Sequence, residues 1–329
     1  MKQTYNVLIL SAGRRVELIQ SFQKAKHTVG VTGTVVAIDH SLTAPALQFA
    51  DQSYQVCKIT DDSYISEVIE ICQKEQIDLI VPTIDTELLK LAHERERIEK
   101  ITQAKILISD LTVIELCRDK IQTQHFFEQI GLGVPKLIEM KDIIDKAYQF
   151  PLFIKPLNGS SSINTFKIKN EAELEFFLEY VPQPMVQSFI TGTEYTIDAF
   201  VDFTHQPITI VPRERIATRS GEILKGKIVK DRELIDLTKY IIKKLEPIGH
   251  ITIQCMKTSD GVKFIEINPR FGGGAPMSIH LGADSPANLY RLLRGEILEY
   301  NENYQEQVIV SRYDQAVYLK FDEKGCELL

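Results

Sequence analysis

The run Ile251-Thr-Ile-Gln254-Cys-Met-Lys-Thr258-Ser-Asp-Gly261-Val-Lys-Phe-Ile265-Glu266-Ile-Asn268-Pro-Arg270-Phe-Gly-Gly-Gly274 holds two alternating apolar segments, 251–257 and 262–267, separated by Ser259-Asp-Gly261. That is the pattern of a β-hairpin. With a three-residue loop, Thr258 faces Val262 and Gln254 lies opposite Glu266. Side chains two apart share a strand face, so Gln254, Glu266 and Asn268 converge while Ile253, Cys255, Ile265 and Ile267 turn the other way. A two-residue turn would undo that convergence. Three oxygen-bearing side chains with one carboxylate among them suit Mg2+, a hard cation that keeps other positions for water and phosphate oxygens, with Mn2+ as the alternative ion. Arg270 follows the strand, and its planar guanidinium grips phosphate through two bonds. Behind it, Gly272-Gly-Gly274 lets backbone approach a ligand closely. The competing reading is a solvated strand edge running into a flexible loop.

Upstream of residue 110 the chain alternates strands with helices. Residues 5–10 form an apolar run ending in Ser11-Ala-Gly13-Arg14-Arg15, followed by Val16, Leu18, Ile19 and Phe22 at helical spacing. The alternation recurs in a strand over 34–38 ending at Asp39, a helix over 64–75 into a strand over 79–82, and a helix over 86–100 into a strand over 105–109. This predicts a Rossmann-like α/β domain, residues 1–110, with a parallel sheet covered on both faces and ligands at the strand C-terminal ends. A helix over 111–129 stops at Gly131-Leu-Gly133 and Pro135, a cap and a breaker together. Strands at 136–139, 152–155 and 164–167, with helices at 141–148 and 171–179, make a small α+β unit, residues 111–184. From 185 to 329 strands dominate, at 185–189, 194–201, 207–211, 251–257 and 262–267, with one helix at 231–245. That unit reads as an antiparallel sheet carrying helices. No internal repeat or low-complexity segment interrupts the pattern.

Composition excludes several function classes. A net charge of −7 with interspersed acids and bases, and no block of five Lys or Arg, gives a nucleic-acid backbone no footing. The longest apolar runs fall far short of the roughly 20 residues of a membrane helix, and no basic, apolar leader opens the chain. A cytoplasmic protein is expected, without nucleic-acid or membrane partners. Five cysteines, odd in number and never in C-x-x-C, argue against disulfides and zinc. There is no H-x-x-x-H, no G-x-S-x-G and no G-x-x-x-x-G-K-[ST].

Lys155 closes the apolar run Phe153-Ile-Lys155-Pro156 and precedes Asn158-Gly-Ser160-Ser161-Ser162. A lysine at a strand end is costly to bury without an anion, which points to phosphate; a snorkelling surface lysine is the alternative. Together with Arg118-Asp-Lys120, Gln187-Ser-Phe-Ile190, Glu194 and Glu266-Ile-Asn268-Pro-Arg270, these residues resemble the ATP-grasp superfamily. The closest resemblance is to the synthetase modules of the carbamoyl-phosphate synthase large subunit. It implies a pre-ATP-grasp domain followed by a two-lobed ATP-grasp fold with ATP between the lobes. It further implies Lys120 and Lys155 as nucleotide lysines, Ser160, Ser161 and Ser162 in the mobile phosphate loop, and Gln187 to Ile190 as the adenine hinge. Glu194 becomes the acid at the nucleotide, Gln254, Glu266 and Asn268 the metal ligands, and Arg270 the phosphate arginine, catalytic together with Lys155.

The implied reaction is ATP- and Mg2+-dependent activation of a small carboxylate as an acyl-phosphate, attacked by an amine or ammonia. Such chemistry needs positioning and charge neutralisation rather than a nucleophilic triad. Carbamoyl-phosphate synthesis with a partner module is one rival, and a non-catalytic nucleotide-binding regulator another. A homodimer is an open expectation. For the acceptor, the segment 212–225 offers Arg213, Arg215, Arg219 and Lys225, with solvated loop charge as the alternative. The first domain offers Gly13, Arg14, Asp85 and Glu87 at strand ends, with turn and cap roles as the alternative.

Overall fold

Short uninterrupted apolar runs become buried strands in the computed structural model, which describes residues 3–159, 163–322 and 325–328, with side chains described through residue 320. The first unit contains β1 (Val7–Ile9), α1 (Val16–Val29), β2 (Val35–Asp39), β3 (Gln52–Gln55), α2 (Tyr64–Lys74), β4 (Leu79–Val81), α3 (Asp85–Thr102) and β5 (Lys105–Ile106). The strands form a parallel sheet in the order β3-β2-β1-β4-β5. Every residue of β1, β2 and β4 is buried, as expected of a parallel sheet with both faces covered. Chain direction across the sheet reverses between β1 and β4. The loops leaving these two strands, at residues 10–15 and 82–85, therefore flank the crevice where such sheets bind ligands.

The predicted helix over 111–129 is two helices, α4 (Leu111–Arg118) and α5 (Lys120–Gln129). Asp119 breaks it: extended itself, it accepts hydrogen bonds from the backbone N–H groups of Ile121 at 2.8 Å and Gln122 at 3.0 Å, an N-cap that starts a new helix. Lys120 thus occupies the first turn of α5. Next come β6 (Leu137–Ile138), α6 (Met140–Ile144), β7 (Leu152–Pro156), β8 (Phe166–Ile168), α7 (Glu171–Tyr180) and β9 (Pro184–Ser188). They build an antiparallel sheet in the order β6-β9-β7-β8 around a small core of its own, which includes Ile138, Leu152, Ile154, Ile168, Leu174 and Val186.

The remaining elements are β10 (Thr193–Val201), β11 (Pro207–Arg219), β12 (Glu222–Ile228), α8 (Arg232–Leu245), β13 (Gly249–Thr258), β14 (Gly261–Asn268), α9 (Ala275–His280), α10 (Ser285–Leu293), β15 (Val308–Ser311) and a final hairpin of β16 (Leu319–Asp322) and β17 (Gly325–Leu328). Six strands pair antiparallel in the order β14-β13-β10-β11-β12-β15. The arginine-rich segment proves to be a hairpin, because the strand read over 207–211 runs on to Arg219 before turning into β12.

The hairpin of β13 and β14 corrects the predicted loop. Thr258 pairs with Gly261, so the turn is the two residues Ser259 and Asp260, and near the turn Cys255 faces Phe264. A bulge between Gln254 and Cys255 then absorbs one residue of β14 and restores Gln254 opposite Glu266, Ile253 opposite Ile267 and Thr252 opposite Asn268. The convergence survives because the extra residue sits mid-strand rather than in the turn. Ile265, predicted to face the core, is that extra residue; it is only partly buried, while Val262, Phe264 and Ile267 fill the core.

The first unit and the six-stranded sheet share a core. Val7, Ile9, Leu18 and Phe22 pack in one cluster with Phe200, Phe271 and residues of α9 and α10. Phe22 meets Phe271 and Tyr290 edge-on at 6.0 and 6.1 Å between ring centres. This packing fixes the crevice beside β1 and β4 against the end of β14.

Candidate active site

Glu266, Asn268 and Arg270 form a connected chain at the end of β14. The Asn268 amide donates to Glu266 Oε1 at 3.0 Å, and Arg270 Nη2 donates to Asn268 Oδ1 at 3.3 Å and to Asp85 Oδ2 at 2.5 Å. Asp85 is the first residue of α3, so this ion pair ties the first unit to the end of β14.

A cavity of about 430 Å³ lies between the two antiparallel sheets. One part of its lining is apolar, made by Pro135, Phe153, Phe189, Ile190, Met256 and Ile265. The bulge that restores the hairpin register is what puts Ile265 there. The Ile190 backbone N–H bonds to no described residue, whereas that of Phe189 is taken by Pro151 O at 3.1 Å. Another part is polar, made by Lys120, Lys155, Glu194, Arg215, Gln254 and Glu266. Lys155, on β7, is 4% exposed and donates no hydrogen bond to a described residue. Burial pulls its ammonium down to about 8, opposed by Glu266 and reinforced by Lys120. Burial lowers Lys120 as well; it donates to the carbonyls of Leu157 at 3.1 Å and Gly159 at 2.8 Å. Glu194 is held above the usual carboxylate range by burial, against the pull of Arg215, which pairs with it at 3.0 Å.

A second cavity of about 290 Å³ adjoins the first, and both are lined by Arg215, Gly221, Gln254 and Glu266. Its other walls include Arg15, Asp85, Arg213, Thr252, Arg270 and the loop of residues 272–274. The three glycines let side chains pack closely against the loop, most tightly at Gly274 against the buried Arg213. A Cβ at Gly272 would lie 2.9 Å from Thr252 Oγ1, at Gly273 2.8 Å from Arg15 Nη1, and at Gly274 2.7 Å from Arg213 Nη1. His250 stacks on Phe271 at 4.5 Å beneath this loop, and burial pushes its imidazole down to about 4, keeping it neutral.

Residues 117–274 match the family model of the ATP-grasp domain, and residues 7–106 that of the PylC-like N-terminal domain. The chain belongs to the ATP-grasp superfamily. It is 23% identical over 275 residues to a 3-methyl-D-ornithine--L-lysine ligase of Methanosarcina acetivorans, covering 84% of this chain and 70% of that one. Over 296 residues it is 28% identical to a formate-dependent phosphoribosylglycinamide formyltransferase of Bacillus subtilis, covering 82% and 72%. A carbamoyl-phosphate synthase of Methanobrevibacter smithii is 23% identical over 270 residues, covering 74% and 73%. The biotin carboxylase domain dimer of Hydrogenobacter thermophilus 2-oxoglutarate carboxylase, in complex with MgADP, ADP and bicarbonate, superimposes with a TM-score of 0.72 at 18% identity, covering 92% and 73%. N5-carboxyaminoimidazole synthetase of Staphylococcus aureus with ADP gives 0.72 at 17% identity, covering 91% and 80%. Membership carries ATP-dependent carboxylate activation and ligation as the class of chemistry, with carbamoyl-phosphate synthase one of several related enzymes.

The ATP-grasp residues present fit Mg2+ and a nucleotide. Lys155 is a buried cation without a partner among the described residues, and Glu266, Gln254 and Asn268 offer a carboxylate and two amide oxygens, once the Asn268 amide turns its oxygen outward. Among the described residues no cluster of three His, Cys, Asp or Glu competes as a metal site.

Other expected residues fall at varied distances from the cavities. Gln187 lines the first, yet its amide is taken by Gln124 Oε1 at 2.6 Å, so the side chain braces β9 against α5. Arg213 is 1% exposed and bound through Nε and Nη2 to Asp198 at 3.2–3.3 Å, which also accepts from Ser278 at 2.5 Å; it supports the second cavity from beneath. Glu87 is fully buried, accepting from Ser11 and Tyr64 at 2.5 Å, and burial lifts its carboxyl to about 7; it lies under the strand ends rather than in a cavity. Lys225 is exposed on β12 and lines neither cavity, and Arg219 pairs with Asp314 at 2.7 Å on the surface. Arg14 reaches the same Asp314 at 3.4 Å, and the Gly13 N–H donates to Asp39 at 2.9 Å. Ser160, Ser161 and Ser162 lie outside the described residues. Arg15, which closes the turn of residues 11–15 offered at the end of β1, lines the second cavity where Arg14 does not; Thr252 and Met256, which share the face of Gln254 at a spacing of two, were not singled out, and Ile265 was hidden by the unpredicted bulge. The four described cysteines, Cys57, Cys72, Cys117 and Cys255, are free, and no helix among the described residues is long and apolar enough to cross a membrane.

Proposed function

We propose that this protein joins a small carboxylic acid to an amine or ammonia, using ATP as phosphoryl donor. What supports the reading is that Gln254 and Glu266 line both cavities, so the seam between a nucleotide-sized pocket and a small-molecule pocket is the metal-type set itself. In this reading adenine occupies the apolar part beside Ile190, and Lys120 and Lys155 hold phosphate oxygens. Gln254, Glu266 and Asn268 would hold Mg2+, which would supply charge neutralisation at the transferring phosphoryl group. Arg270 neutralises developing charge on the acceptor side, oriented by Asp85. The acid sits in the second cavity, where its carboxylate takes the phosphoryl group before the amine displaces phosphate.

The test is ADP release across carboxylates crossed with amines, read by mass spectrometry for the condensed product, with Mn2+ as the alternative ion. Glu266→Ala is expected to lose well over tenfold in turnover, more than about 1.4 kcal/mol of barrier; a smaller loss would count against the metal role. The similarity to carbamoyl-phosphate synthase over 270 residues favours a second reading, tested by adding bicarbonate and ammonia with and without a partner module. Light scattering tests the proposed homodimer. Nucleotide binding without turnover throughout would leave a regulatory protein.

A further inference from the structure

Four guanidinium groups line the second cavity, and three of them are neutralised within the protein. Arg213 pairs with Asp198 at 3.2 Å, Arg215 with Glu194 at 3.0 Å and Arg270 with Asp85 at 2.5 Å. Arg15 differs. The one hydrogen bond of its guanidinium to a described residue goes from Nη2 to Thr83 O at a long 3.3 Å, and no described carboxylate comes within 4 Å of it, Glu222 being the strongest acidic influence. Burial, with Arg270 and Arg312 nearby, pulls its guanidinium down to about 10. A partly buried cation without a counter-ion is costly unless a ligand supplies the anion. Lys155 poses the same problem in the first cavity, where nucleotide phosphate answers it.

Position decides what Arg15 meets. It leaves the C-terminal end of β1, in the crevice between β1 and β4. It lines the second cavity and a further one of about 200 Å³, which Arg14 and Arg312 also line but none of Gln254, Glu266, Asn268 and Arg270 reaches. Arg15 therefore stands at the end of the substrate space away from the metal-type set. We infer that Arg15 binds a second, non-reacting anionic group of the substrate, a carboxylate or a phosphate, so that the acid taken by this ligase is at least a dianion. This rests on the ligase reading in taking the second cavity as the substrate site.

Calorimetry on the full chain loaded with Mg2+ and a non-hydrolysable ATP analogue tests it. The probes are malonate, succinate and glutarate, each against the monoacid of equal length, and 3-phosphonopropionate to separate phosphate from carboxylate. At least one dianion is expected to bind ten times or more tighter than its monoacid. Arg15→Gln should erase that preference while leaving affinity for the nucleotide analogue within twofold, and Arg15→Lys should retain part of it. In the free protein Arg15→Gln should raise the melting temperature, because it removes an unpaired cation; a merely structural arginine would lower it. Equal binding of diacids and monoacids, no binding of any probe, or a preference that survives Arg15→Gln would overturn the inference. Dianion binding without ADP release would sink the ligase reading alone.

Discussion

Lys155 is a buried ammonium without a hydrogen-bond partner among the described residues, and its value of about 8 sits below the ordinary 10.5. The sign of the consequence follows from proton counts. Between about 8 and 10.5 the unfolded chain binds a proton that the folded one does not, so stability rises with pH across that window. Below it the folded state carries the full burden of the charge, on the order of 3 kcal/mol by the size of the shift. Lys155→Met is therefore expected to be more stable than the parent at pH 7, with a gap that closes as pH approaches 10.5, while affinity for MgATP falls by well over tenfold. Urea denaturation of both proteins at several pH values checks this, since other titrating groups cancel in the difference. A gap independent of pH would show that Lys155 is not the buried cation described.

At the scale of elements, the hairpin of β13 and β14 shows how function depends on where one extra residue is placed. The alternation of apolar residues over 251–257 and 262–267 was legible, and so was the convergence of Gln254 with Glu266. The bulge was not, because an odd loop and an even turn plus a bulge give identical pairings beyond it. Phe264 and Ile267, three apart yet both apolar, were the available clue, and both prove buried. Other elements escaped as well, among them β12, α9, α10 and β15, and two did so for plain local reasons. β3 is a polar edge strand, Gln52-Ser-Tyr-Gln55, with no alternation to read, and the break at Asp119 lies inside an otherwise continuous helical pattern. The parallel sheet, by contrast, announced itself through uninterrupted apolar runs. If Ile265 is the extra residue that sets the register, deleting it should only close the bulge and keep Gln254 opposite Glu266, with Mg2+-dependent nucleotide binding reduced by no more than about tenfold, whereas deleting Ile267, beyond the bulge, should turn Asn268 to the other face and abolish that binding. Inserting one glycine between Ser259 and Asp260 should leave binding within about threefold, since the disturbance ends at the turn. Titration with a fluorescent ADP analogue separates these outcomes, and loss of binding on deleting Ile265 would show that it is not the extra residue.

At the scale of the whole molecule, the distribution of cores predicts which part opens. Val7, Ile9, Leu18 and Phe22 from the first unit share a cluster with Phe200, Phe271 and Tyr290, and Arg270 reaches Asp85 across the same boundary. Cutting the chain near residue 110 would expose that cluster on both sides, so residues 111–329 alone are expected to be insoluble or molten. The four-stranded sheet is different: its core of Ile138, Leu152, Ile154, Ile168, Leu174, Val181 and Val186 is separate and small. Contiguous units with few buried contacts to the rest open at lower free energy than the global transition. Amide exchange should therefore find 137–188 opening as one unit, faster than β1, β10 and β13. Because the first cavity is walled by β7 and β9 on one side and β13 and β14 on the other, MgADP should slow exchange in that unit more than anywhere else. Ligand bound only to the closed form stabilises it by mass action, about 2.7 kcal/mol at a hundredfold excess over its dissociation constant, which corresponds to roughly a hundredfold slowing. Uniform slowing across all three sheets would mean that the unit does not open independently, and no slowing would place the nucleotide elsewhere.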